Sequence, residues 1–209
     1  MTPLAARSRR AKVDPPRGSV SWYVTMPALT KQQLDSAQEF ATAAIAALKS
    51  GQGIHPGTVV AATARMAGTY LFRSFRLDLP GVEPGQVVLS EKASAGGPTL
   101  IETAARLLAR IGIVLDATRA GIPVGSEHQP TLGFLETQRV LEPAFAPVRA
   151  RYGFDDEQAA YAVAAATSLL VRHCAKGLEP HVAFNIAALG FVEGTKTAPD
   201  PVVRSDGAA

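Results

Sequence analysis

The sequence has a single cysteine, few aromatic residues and no apolar run long enough to cross a membrane. Cys174 has no second cysteine to pair with, so an intramolecular disulfide framework is excluded and a reducing compartment is favoured. Aromatic residues form only 6% of the 209 residues, which is few for a β-sandwich or a β-barrel. The strongest apolar run, residues 159–171, is shorter than the ~20 residues of a membrane-spanning helix. These absences predict a cytoplasmic protein that does not enter a membrane.

Alanine is the residue that the sequence has in abundance. It occurs 37 times, and 47% of all residues are hydrophobic, so many of the apolar side chains are small. Alanine is also the strongest helix former among the amino acids. A chain of this length buries ~70% of its unfolded surface, which is enough for one substantial core. The composition therefore predicts a single helix-rich globular domain.

Positive charge is concentrated at the N-terminus. Residues 1–18 carry a net charge of +4, and the rest of the chain carries a net charge of −1. A nucleic-acid-binding domain normally carries its basic patch on the folded domain, so this distribution argues against nucleic acid as a partner. The same residues lack the apolar stretch of a secretory signal peptide. We interpret residues 1–18 as a disordered basic tail.

Local signals mark where the helices begin and end. Thr30 with Gln33, and Asp155 with Gln158, have the spacing of a capping box at a helix N-terminus. Glycines such as Gly51 mark expected helix C-termini. The apolar spacing predicts helices over residues 30–50, 58–76, 98–115, 130–152, 155–176 and 180–194.

These signals together predict an all-α fold. We expect a single-domain bundle of five to six helices over residues 19–196, with a kink or a break near Pro143 and Pro147. Residues 86–90 are a weak strand candidate, and one short strand makes no sheet. Residues 197–209 are expected to form a second disordered tail. Neither tail has a periodic apolar face, so both should be dispensable for stability.

Two of the predicted helices, over residues 58–76 and 155–176, are apolar on most sides. In residues 58–76 the apolar side chains point in nearly every direction, which is typical of a helix at the centre of a core. Ala64, Ala67 and Gly68 would let a neighbouring backbone approach closely. One central helix can be wrapped by the others, but a second needs cover as well, and a symmetric partner can supply it. We therefore expect a homo-oligomer.

The helix over residues 58–76 also carries a polar stripe. Arg65, Thr69, Arg73 and Arg76 are separated by steps of three or four residues, which places them on one side of a helix. The same helix has no Asp or Glu, and a buried guanidinium is costly without a countercharge.

Two sources of countercharge are open for this stripe. Ordinary pairing with a carboxylate such as Glu91, Glu102 or Glu136 is one. The other is a small molecule with a carboxylate or phosphate group, held by Arg65 and Arg73 together with His55. The second source makes these three residues the candidate ligand-binding site.

Three further polar features have an ordinary structural explanation beside a functional one. Residues 51–57 and 94–99 are glycine-rich and precede predicted helices, where free N–H groups attract anions, although glycine also simply turns the chain. Asn185 lies in an apolar helix and must find a partner on another helix or subunit.

A helix–turn–helix corner carries the residue types that could bind a metal or supply a nucleophile. His173, Cys174 and His181 surround the corner, but no second cysteine or spaced acidic ligand accompanies them. His173 is also a poor base for its neighbour, because adjacent side chains on a helix diverge by about 100°. No metal or cofactor is assigned.

The sequence leaves three classes of function open. The first is a helical ligand-binding or assembly protein, for which a small anionic molecule is the candidate ligand. The second is an enzyme whose site is assembled around His55, Arg65 and Arg73. The third is a helical transcription regulator, which ranks last because residues 30–76 form two long helices instead of a compact helix-turn-helix.

Overall fold

The computed structural model describes residues 28–201 except 52, 120 and 122. Six α-helices occupy most of these residues, and the described part of the chain contains isolated β-bridges but no strand. This confirms the all-α prediction. The helices are α1 (Lys31–Leu48), α2 (Pro56–Ser74), α3 (Glu91–Arg110), α4 (Phe134–Tyr152), α5 (Asp156–His173) and α6 (Pro180–Lys196). Within the described residues, no helix combines the length and the apolar character that crossing a membrane requires.

Both predicted capping boxes are present. The Thr30 hydroxyl accepts the Gln33 N–H at 3.2 Å, and the Gln33 side chain accepts the Thr30 N–H at 2.9 Å. Asp155 and Gln158 repeat this exchange at the start of α5. Each box satisfies N–H groups that have no partner inside the helix, so it fixes the first residue of the helix. The predicted end of α1 at Gly51 is wrong, because the backbone is already extended at Lys49.

Helix α3 begins seven residues earlier than predicted. Ser90 caps it, its hydroxyl accepting the Ala93 N–H at 3.0 Å, so Pro98 lies inside the helix and not at its start. Pro98 is on the exposed side of α3.

Gly96 and Gly97 are buried within the helix, where a Cβ would press on Phe75 and Val192 respectively. The segment 94–99 is therefore not a helix entry, and the free N–H groups that would have attracted an anion there are absent.

Helix α4 is continuous through both of its internal prolines. It begins after Gly133, whose N–H donates to the Glu136 carboxylate at 3.0 Å. The predicted break into two short helices is wrong. Pro143 and Pro147 both lie on the exposed side of α4, where water can take the place of the missing N–H groups.

Helices α2 and α5 pack side by side at the centre of the bundle. Helices α1 and α4 cover one side of this pair, and α3 and α6 cover the other. Both central helices are buried along almost their whole length within one chain. The reason for expecting a homo-oligomer, an uncovered second apolar helix, is therefore absent, and the oligomer stays a prediction.

Helices α2 and α6 approach each other more closely than ordinary side chains allow. A Cβ added to Gly68 would lie 2.7 Å from the Gly194 backbone, and one added to Gly190 would lie 2.9 Å from the Ala61 carbonyl oxygen. A Cβ at Gly194 would overlap the Arg65 carbonyl oxygen. We call Gly68, Gly190 and Gly194 the glycine seam. The close approach expected at Gly68 is confirmed.

The chain remains packed on the body for several residues after α6. Ala198 is fully buried with Phe72 and Val88 in a small second core cluster. Its N–H donates to the Gln86 carbonyl, and its carbonyl accepts the Gly85 N–H, both at 2.8 Å. The predicted boundary of the C-terminal tail at residue 197 is therefore too early. Residues 1–18 and 202–209 lie outside the described residues.

Candidate functional site

A cleft of about 470 Å³ lies between α2, α6 and the α3–α4 loop (residues 111–133). Its walls are mostly apolar, and α6, which the glycine seam holds close to α2, supplies more of them than any other element. The apolar lining includes Ala61, Ile101, Val124, Ile186, Leu189 and Val192. Its polar lining side chains are Arg65, Gln129, Asn185 and Glu193. The cleft is thus an apolar surface with a few fixed polar groups, as is typical of a small-molecule site.

Arg65 is the cationic group of this cleft. Its Nε donates to Glu193 Oε2 at 2.6 Å, and its Nη1 donates to the Leu132 carbonyl oxygen. Its Nη2 makes no hydrogen bond with the described residues. The Arg65 side chain is 13% exposed and the Glu193 side chain 39% exposed. Arg65 is therefore held in place by the fold, whereas Glu193 has room to turn towards solvent.

Asn185 fastens the α3–α4 loop to α6. Its Oδ1 accepts the Gly121 N–H, and its Nδ2 donates to the Arg119 carbonyl oxygen, both at 3.2 Å. The expected partner of this buried amide was a second helix or subunit, and the structure shows loop backbone instead. The loop forms the outer wall of the cleft as a result.

A polar cluster at the start of α6 fastens the same loop a second time. His181 Nε2 accepts the Asp116 N–H at 2.9 Å, so the ring proton is on Nδ1, which donates to Glu179 Oε1 at 2.7 Å. Arg119 donates to both oxygens of Glu179. Slight burial opposes ionisation of Glu179, but the hydrogen bonds with His181 and the charge of Arg119 outweigh it and lower its pKa.

A second cavity of about 260 Å³ lies beside this cluster. Ile101 and Ala105 of α3, Leu115 of the loop and Phe184 of α6 form its apolar lining. It shares Ile101 and Asn185 with the larger cleft, so the two spaces adjoin.

Arg73 lies away from the cleft and is paired within the chain. It donates to both carboxylate oxygens of Glu142 on α4 and to the Asp200 carbonyl oxygen, the last at 3.0 Å. Gln138 donates to Glu142 at 3.0 Å. Burial opposes ionisation of Glu142, but the hydrogen bonds from Arg73 and Gln138 outweigh it and hold its pKa below the usual range.

His55 is the N-cap of α2. Its Nδ1 accepts the Thr58 N–H at 3.1 Å, which places the ring proton on Nε2 and directs it to the Glu127 carbonyl oxygen at 2.9 Å. The His128 carbonyl oxygen packs against Gly57 at the same helix end. A carbonyl oxygen there repels an anion, so the helix entry at residues 51–57 is occupied by the chain itself.

The structure does not bring the three predicted site residues together. Arg65 lines the cleft, Arg73 faces α4, and His55 closes the start of α2. Ten residues of helix separate His55 from Arg65, or about 15 Å. Arg76, beyond the end of α2, is exposed.

The carboxylates expected to balance the arginine stripe were the wrong ones. The observed partners are Glu193 and Glu142, whereas Glu102 pairs with Arg106 on α3 and Glu136 caps α4. Glu193 was the site residue that sequence patterns missed, whereas Asn185 was singled out but not assigned to the site. Glu193 stands between the two seam glycines of α6, and that Gly-x-x-x-Gly spacing was a usable signal of close helix packing.

The corner that carries His173, Cys174 and His181 lacks the features of a nucleophile or a metal site in the described residues. Burial raises the pKa of the Cys174 thiol, which disfavours the reactive thiolate. Both ring nitrogens of His181 are already bonded. No group of three or more potential metal ligands gathers anywhere in the described ranges.

Comparison of the chain with protein-family models, with curated proteins and with solved structures finds no match. The chemistry of the cleft is therefore inferred from its own side chains.

Proposed function

We propose that the protein binds a small molecule with an apolar body and one carboxylate group in the cleft between α2, α6 and the α3–α4 loop. Its volume of about 470 Å³ lies within the range of known small-molecule sites. The observation that carries the proposal is the guanidinium of Arg65, which faces an apolar wall and has an unbonded Nη2.

The Glu193 carboxylate marks where the ligand carboxylate binds. It lies 2.6 Å from Arg65 Nε, so the site already accommodates a carboxylate in the correct geometry. Arg65 is nearly buried, and it needs a negative partner whenever Glu193 leaves. A ligand carboxylate therefore displaces Glu193 towards solvent and takes its hydrogen bonds, while the apolar body covers Ala61 and Ile186. Arg73 and His55 have no part in this site.

The test uses octanoate as the ligand and octan-1-ol as its uncharged counterpart, with binding measured by isothermal titration calorimetry. Arg65→Gln should weaken octanoate binding at least about tenfold, because a charge-assisted hydrogen bond is lost. Glu193→Gln should strengthen it about threefold or more, because the competing carboxylate is gone. Neither variant should change octan-1-ol binding by as much.

Arg106→Gln is the matched control, since Arg106 pairs with Glu102 on the exposed face of α3, away from the cleft. Far-UV circular dichroism confirms that each variant is folded. Octanoate that fails to bind, or binds equally to the wild type and to Arg65→Gln, contradicts the proposal. If octan-1-ol binds to every variant as tightly as octanoate does, the cleft recognises an uncharged head group and the proposal is wrong.

A further inference from the structure

The larger cleft and the second cavity adjoin along α6. Gly97 of α3 packs against Val192 of α6, whereas Ala105 shares the second cavity with Phe184. The two helices are therefore antiparallel, and the second cavity lies towards the N-terminal end of α6, away from Glu193. Ile101 and Asn185 line both spaces at the point where they adjoin.

The polar groups of the two spaces differ in whether they have a hydrogen-bond donor left for a ligand. Arg65, at the Glu193 end, has an unbonded Nη2. At the opposite end the polar cluster is self-contained: Thr118 donates to Asp116, Arg119 donates to Glu179, and both nitrogens of His181 are bonded. A polar group of a ligand therefore binds at the first end. The second end offers the rest of the ligand only apolar surface.

We propose that the ligand is an unbranched aliphatic carboxylate whose head group binds Arg65 and whose tail passes Asn185 into the second cavity. The inference rests on the proposed function and specifies its ligand class. Nine residues of α6 separate Glu193 from Phe184, which corresponds to about 13 Å along the helix axis. A linear chain fits this path because both spaces are mostly apolar and the α3–α4 loop lines both of them.

Chain length is the property that tests this path. With C–C bonds of ~1.5 Å, each methylene extends a zigzag chain by about 1.3 Å, so octanoate spans about 9 Å and dodecanoate about 14 Å. Octanoate therefore stays in the larger cleft, and dodecanoate reaches the second cavity. Affinity should rise up to about fourfold for each methylene from octanoate to dodecanoate, because each one is removed from water.

Ala105→Phe fills the second cavity and is the decisive variant. It should leave octanoate binding unchanged and reduce dodecanoate binding at least about tenfold, as measured by isothermal titration calorimetry below the micelle concentration. Ala109→Phe, one turn further along α3 on an exposed position, should change neither. Ala105→Leu makes the same comparison with a smaller side chain if the phenylalanine variant does not fold.

The results separate this inference from the proposed function. Octanoate binding that depends on Arg65, together with no gain from octanoate to dodecanoate, overturns the inference and leaves the proposed function standing. Equal weakening of both ligands by Ala105→Phe also overturns it, because the substitution then acts on the larger cleft. Octanoate that does not bind at all refutes the proposed function itself.

Discussion

Arg73 of α2 obtains its countercharge from Glu142, a residue of another helix. Helix α2 contains no carboxylate, so its nearly buried arginines take their partners from α4 and α6. Glu142 of α4 and the Asp200 carbonyl accept hydrogen bonds from the Arg73 guanidinium, and Gln138 of α4 donates to the same two groups. The arginine thereby joins three parts of the chain that are far apart in sequence.

Glu142→Gln should lower the free energy of unfolding at pH 7 by about 1–2 kcal/mol, because it leaves a nearly buried guanidinium without its countercharge. The pKa of Glu142 is lower in the folded state than its ordinary value of 4.5, so its stabilising contribution is complete above that pH. The contribution is lost as the pH falls through the folded-state pKa.

The difference between wild type and Glu142→Gln should therefore shrink in urea unfolding at pH 3.5 compared with pH 7. Glu102→Gln, which removes an exposed ion pair on α3, is the control and should cost less than about 0.5 kcal/mol. A difference that is the same at both pH values would show that ionised Glu142 does not stabilise the fold.

At the scale of elements, the contact between α2 and α6 determines where the cleft lies. The glycine seam brings the two backbones together, and the larger side chains of α6 on either side of it then form the cleft wall. Two backbones this close leave no room for a methyl group. A Cβ added at a glycine of the seam therefore forces the two helices to move apart.

Gly194→Ala should destabilise the protein by about 2–3 kcal/mol, because its Cβ would overlap the Arg65 carbonyl oxygen and push the two helices apart. Gly177→Ala is the matched control: its nearest neighbour would be Pro56 Cγ at 3.9 Å, an ordinary contact. The control should stay within about 0.5 kcal/mol of wild type in thermal or urea unfolding. Equal stability of Gly194→Ala and Gly177→Ala would mean that the helices are not in close contact.

At the scale of the whole molecule, the segment after α6 closes the fold at one end. Residues 197–201 connect the 77–90 segment, α2 and α4 through the burial of Ala198 and the hydrogen bonds of Asp200. Asp200 N–H donates to Gln138 at 3.0 Å. The segment is thus part of the domain, although its composition resembles a tail.

Two truncations separate the packed segment from the residues that follow it. Deleting residues 197–209 should lower the melting temperature by about 5 °C or more, because Ala198 and the hydrogen bonds to Gln86 and Gln138 are lost. Deleting residues 202–209 alone keeps all of these contacts and should leave the melting temperature within about 1 °C. Differential scanning calorimetry compares the two, and equal melting temperatures would show that residues 197–201 contribute nothing.

Local sequence patterns were enough to predict the helical class, the starts of α1 and α5 and the central place of α2 and α5. These properties depend on residues within one or two turns of each other, because a capping box spans three residues and an apolar face repeats every turn. The start of α3 was wrong because Pro98 is compatible with both a first and an interior exposed position, and Ser90 was not recognised as the cap.

The groups that form the cleft come together only when the helices pack. Arg65 meets Glu193 across 128 residues of chain, and Arg73 meets Glu142 across 69. The arginine stripe showed that countercharges were needed, but several carboxylates could supply them equally well from their positions in the sequence. For Glu193 the choice depended on the distance between α2 and α6, which the glycine seam sets through backbone packing, and no local pattern encodes the partner across such a contact.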